Sequence, residues 1–111
     1  MSRTVVHVVT GAGPAERRAW IGRLLAARPA WATLTPRACP CCLGRVETQV
    51  LLVRLLRERR PMRVLLELGD VLHLTPLQRV LEDSPLARYV EVGRAVRLPE
   101  DERLPAESLG A

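Results

Sequence analysis

The seven residues Thr4-Val-Val-His-Val-Val-Thr10 are β-branched except for one histidine and apolar almost throughout. They lack the in-out alternation of a half-solvated strand, so a strand made from them needs cover on both faces. That is the situation inside a parallel sheet flanked by helices. Gly11-Ala-Gly-Pro14 interrupts the run. Residues 15–28 then carry Trp20, Ile21, Leu24 and Leu25 at helical spacing, with Pro14 suited to the first turn and Glu16 to the positive end of the helix dipole. Pro29 stops this helix. Residues 31–35 make a short second strand closed by Pro36. A second helix over 43–60 follows from Val46, Val50, Val53 and Leu56, and Arg57-Glu-Arg-Arg60 lies at the negative end of its dipole. Residues 62–68 make a third buried strand, halted by Gly69-Asp70. Thr75-Pro76-Leu77-Gln78 matches a capping box and opens a helix reaching about Asp83. A fourth strand is expected over 89–98, and a flexible tail over 99–111.

Strands alternating with helices define an α/β fold: a small parallel sheet of about four strands with helices on both faces, in one domain spanning residues 1–98. The length of 111 residues allows one modest core. With no Phe and one Tyr, that core must be built from Leu, Val and Ala. The basic residues are all arginine and are unevenly placed. Residues 1–63 hold 12 Arg against 3 acids, and residues 64–111 hold 5 Arg against 9 acids. The arginines are spread over helix-like segments without interleaved aromatics, the pattern of a solvated face, so nucleic acid is not the expected partner. A protein partner stays open, a metalloprotein if the cysteines handle metal, and so does a homo-oligomer. No apolar run is long enough for a membrane span or a signal peptide. The expected location is therefore cytoplasmic, where clustered cysteines more often serve metal or catalysis than structural disulfides.

All three cysteines fall in Ala38-Cys39-Pro40-Cys41-Cys42-Leu43, between the second strand and the second helix. Thiolates are soft donors suited to Zn²⁺ or Cu(I), and three clustered sulfurs can occupy three corners of a tetrahedron. Alternate positions in an extended segment put Cys39 and Cys41 on one side, with the turn into the helix bringing Cys42 to meet them. Candidates for the remaining position are Glu67 and His73, besides water or a partner's side chain. Two other readings stay open. Cys39-Pro40-Cys41-Cys42 is also a Cys-Pro-x-Cys box of glutaredoxin type, with Cys39 attacking and Cys42 resolving. The thiols can also be buried small hydrophobes.

Taken together, these elements resemble the CobW-type GTPases, metal-associated P-loop proteins related to UreG and HypB. Their first strand enters Thr-Gly-x-Leu-Gly-Ala-Gly-Lys-Thr-Thr, and here Thr10-Gly11 lies at the matching distance from Leu24-Leu25. Their Gly-Cys-Ile-Cys-Cys-x-Leu run is echoed by residues 38–43, and their later strand and Asp-Pro by Leu66-Glu67-Leu68-Gly69-Asp70 and Thr75-Pro76. The likeness covers roughly residues 4–98. It implies a P-loop NTPase-like fold and metal handling as the activity, while the thiolate chemistry of the cysteines favours zinc as the metal.

The resemblance fails at the phosphate loop. The family's glycines let backbone N–H groups cradle phosphates, while Lys and Ser/Thr contact the phosphates and Mg²⁺. Among Gly11, Gly13, Pro14, Glu16, Arg17 and Arg18, Pro14 and Glu16 stand in place of glycines, Arg17 in place of Lys and Arg18 in place of Thr. Pro14 removes a donor, Glu16 adds a carboxylate where phosphate must approach, and Arg18 cannot ligate Mg²⁺. No guanine-reading Asn/Thr-Lys-x-Asp is possible without lysine. The expectation is a degenerate P-loop with no catalytic residue, binding neither GTP nor Mg²⁺, in a protein that need not be an enzyme. His7, mid-strand, is expected to be a packed core histidine, and His73 to be exposed on a loop. Glu67 is as well explained by local hydrogen bonding as by metal.

Overall fold

The computed structural model describes residues 3–83 and 85–99. Five strands form one sheet: β1 (Thr4–Gly11), β2 (Trp31–Leu34), β3 (Arg63–Glu67), β4 (Val90–Val92) and β5 (Val96–Leu98). All pairings are parallel, in the order β2-β3-β1, with β4 and β5 end to end along the far edge of β1. The helices are α1 (Pro14–Ala26), α2 (Arg45–Arg59) and α3 (Leu74–Asp83).

The apolar residues of β1 divide between two cores, as its unalternating sequence requires. Val6 and Val8 pack with Leu52 of α2 and with Leu77 and Leu81 of α3. On the other face Val9 packs with Trp20, Ile21 and Leu24 of α1 and with Trp31. The chain crosses the sheet in one direction through α1 and returns through α2 and α3, so right-handed crossovers put α1 alone on its face. The α/β class and the helices on both faces agree with the sequence reading.

Two local expectations are corrected. The fourth strand is broken in two: Gly93 N–H bonds to Val6 O at 2.9 Å, and the chain bulges through residues 93–95 before β5 resumes pairing at Val9. A side chain at Gly93 would collide with Val5 and His7, so only glycine permits this approach. Thr75 is not a cap either. A 3-10 turn (Val71–His73) runs directly into α3, and the capping carboxylate is Asp70, whose Oδ1 accepts the Leu72 N–H at 2.9 Å. The Thr-Pro-Leu-Gln pattern thus lies inside the first turns of a helix that had already begun.

His7 is buried and satisfied as the neutral tautomer. Its Nδ1 lies 2.8 Å from Arg94 O, and its Nε2 accepts from Arg63 Nη1 at 2.8 Å. The proposed tail, residues 99–111, lies outside the described residues beyond Pro99. No helix among the described residues is long and apolar enough to cross a membrane.

Candidate metal centre

Parallel strands bring their carboxyl ends to one edge, and the crossovers leaving β1 and β3 depart to opposite faces. A ligand crevice is therefore expected between those two strand ends. Here that position is filled by side chains. Arg17, buried in α1, donates from Nε to Glu67 Oε2 at 2.6 Å, with only 7% and 3% of the two side chains exposed. Arg17 Nη1 donates to the carbonyls of Gly11 at 3.2 Å and Ala12 at 3.4 Å. Thr35 Oγ1 donates to Glu67 Oε1 at 3.0 Å, and exposed Arg18 lies 3.6 Å from the same oxygen. A phosphate cradle turns N–H groups inward. This loop turns carbonyl oxygens toward a guanidinium, and Glu16 folds back over Gly13 at the start of α1.

Beside this plug lies the cysteine loop. It is a series of turns between β2 and α2 instead of the extended segment expected. Cys39 O accepts from both Cys42 N–H at 3.3 Å and Gly44 N–H at 2.7 Å, and Thr48 N–H returns to Gly44 O at 2.9 Å to start α2. The loop closes only because residue 44 is glycine: an added Cβ would sit 2.5 Å from Ala38 O and 3.0 Å from Cys39 O. The tight closure folds the thiols back on one another. Cys39 Sγ lies 3.0 Å from Cys41 Sγ.

His73 arrives from the crossover after β3. Its Nδ1 is 3.1 Å from Cys41 Sγ and 3.5 Å from Cys39 Sγ. With Cys42 it completes a group whose four ligand atoms all lie within 4.8 Å of one another. Tetrahedral coordination with Zn–S bonds of ~2.3 Å has edges of roughly 3.8 Å, so the donors already bracket the required spacing. Three sulfurs and one imidazole nitrogen form a donor set characteristic of zinc sites.

The electrostatics inside the cluster are uneven. Burial opposes ionisation of Cys39, but hydrogen bonds from Cys41 and Cys42 hold its thiol below the ordinary value. At Cys41, burial together with hydrogen bonding to Cys39 and Cys42 and their charge pushes the thiol up to about 12. Cys39 is the first of that pair to ionise.

The sequence candidates separate cleanly. Cys39, Cys41, Cys42 and His73 converge, and His73 is half-buried in a 3-10 turn where an exposed loop was expected. Glu67 is not in this group; its carboxylate is engaged by Arg17, Arg18 and Thr35. Sequence reasoning missed Asp70. Its Oδ1 caps the turn while its Oδ2 lies 3.8 Å from His73 Nε2, the ring nitrogen opposite the one that faces the sulfurs. Carboxylates behind ligating histidines commonly fix ring orientation and raise basicity. The Asp-x-x-His spacing after a buried strand was the available signal. Compared with known proteins, the chain matches no family model, no curated protein and no solved structure.

Proposed function

We propose that this protein binds one thiophilic metal ion, zinc in the first instance, through Cys39, Cys41, Cys42 and His73, as a CobW-type domain that no longer hydrolyses nucleotide. The observation that carries the reading is the meeting of four suitable donors from two separate crossovers. Asp70 positions the imidazole, and Gly44 sets the loop closure that brings the thiols together.

The site suits metal handling or docking to a metalloprotein. Cys42 is exposed, and the adjoining Leu43 and Leu72 are 92% and 82% exposed, so donors and an apolar rim are open to a partner. The loss of nucleotide chemistry is supported by the Arg17–Glu67 pair at the switch point and by the loop carbonyls facing it. A glutaredoxin-type function is the second reading, supported by the lowered pKa of Cys39, although the sulfur 3.0 Å from it is that of Cys41, which that chemistry does not use.

Metal analysis of the reduced, purified protein tests the proposal. About one zinc per chain is expected, lost in Cys39→Ser and in His73→Ala. Zinc at 1,000 times its Kd should stabilise the fold by about 4 kcal/mol, and GTP with Mg²⁺ by almost nothing. Absence of zinc binding together with turnover of a glutathione mixed disulfide would replace this reading with the redox one.

A further inference from the structure

At the opposite end of the sheet, where the strands begin, a half-open cavity of about 780 Å³ is walled by Arg3, Arg57, Arg60, Arg63 and Arg88. No acidic side chain lines it among the described residues. The volume falls within the range of small-molecule sites. Its floor is apolar, and Met62 stands in it 67% exposed, with half-exposed Tyr89 beside it.

Five like charges brought together raise the energy of the fold unless something answers them. The protein answers them little. Among the described residues the side chains of Arg57, Arg60 and Arg88 form no ion pair, and Arg3 approaches Glu91 only at 3.9 Å with both groups solvated. Arg63 is held rigid by His7 and by the Trp31 ring, 5.1 Å away. The dipole of α2 accounts for basic residues in its last turn, but Arg3, Arg63 and Arg88 come from outside that helix. Arg60 also occupies the left-handed cap of α2 at φ 46°, a position where glycine is the usual residue.

We propose that this cavity binds a small organic anion, a phosphate or carboxylate head joined to a short apolar body. The guanidinium groups of Arg57, Arg60 and Arg88 take the head, each able to donate two parallel hydrogen bonds. Leu56, Pro61 and Met62 take the body. This site is independent of the metal centre.

Calorimetric titration of the full chain with octyl phosphate, octanoate, inorganic phosphate and octanol tests it, the first two separating the two head groups. One of the amphiphilic anions should bind at least about tenfold tighter than inorganic phosphate or octanol, with affinity falling as salt is added. Arg60→Gly and Arg88→Gln should each weaken it about tenfold. Arg60→Gly should do so with an unchanged or raised Tm, because glycine accepts the left-handed backbone. That separates lost binding from lost folding. Octanol binding as tightly as both anions, or unchanged affinity in both variants, would overturn the proposal. So would a short single-stranded oligonucleotide that competes more tightly than either amphiphile.

Discussion

Two loops share the carboxyl edge of the sheet, and they have opposite chemistry. The loop after β1 is closed on itself: Arg17 and Glu67 neutralise one another out of solvent, and the loop carbonyls accept from the same guanidinium. The loop after β2 and the turn after β3 hold sulfur and nitrogen donors that lie against one another. A buried ion pair makes a site inert by satisfying it. Four soft donors gathered within coordinating distance of one another suit a cation. The first loop should therefore matter to folding and the second to binding.

The largest expected effect tests the closed loop. Arg17→Met leaves the Glu67 carboxylate buried without its principal partner and should lower stability in urea unfolding by about 3–5 kcal/mol. Cys39→Ser in metal-free protein should change stability by only about 0.5 kcal/mol. Similar losses in both would erase the distinction between the loops.

Gly44→Ala comes next. Relieving the clash with Ala38 O requires the cysteine loop to open, at about 1–3 kcal/mol, and zinc affinity measured by chelator competition should fall with it. Retained affinity would mean that the loop closure is not what gathers the thiols. Asp70→Asn keeps an oxygen for the Leu72 N–H but removes the charge behind His73. It should weaken zinc about tenfold while leaving the metal-free melting temperature nearly unchanged. A large drop in that temperature would make Asp70 a structural cap alone.

The smallest effect lies away from both loops. Burial above all holds His7 below its ordinary pKa of 6.5; the hydrogen bond to Arg94 O opposes this, and the charge of Arg63 adds to it. The unfolded chain then takes up the proton at higher pH than the folded one. Stability present above pH 6.5 should be lost as pH falls through the depressed value, at no more than about 1.4 kcal/mol per pH unit. His7→Gln should flatten that part of the urea-unfolding profile, and an unflattened profile would assign the slope to other groups.

Much of the architecture was legible because it depends on burial. The all-apolar run of β1 demanded two covered faces, and Pro14, Pro29 and Pro61 mark boundaries by backbone sterics alone. What stayed hidden depends on approach between distant segments. Nothing local in residues 89–98 says that Gly93 must pass against His7, so one strand was expected where two short ones form. Thr75-Pro76-Leu77-Gln78 is a sound capping pattern, but Asp70 had already begun the turn. The three sulfurs could be named from spacing. The meeting with His73 could only be offered as one option, because that ring comes from a turn 32 residues beyond Cys41, after the chain has crossed the sheet. Arg17 facing Glu67 was equally out of reach, since 50 residues separate them.

Cys41 and His73 are 32 residues apart in the chain and Cys39 and His73 are 34 apart, with the whole of α2 and β3 between them. A cation gripped from both sides would act as a removable staple across that span. A cross-link of such length removes disorder from the unfolded chain equivalent to about 4 kcal/mol. Loading and stripping the ion would thus raise or lower the stability of the fold as a whole, far beyond the few atoms that touch it.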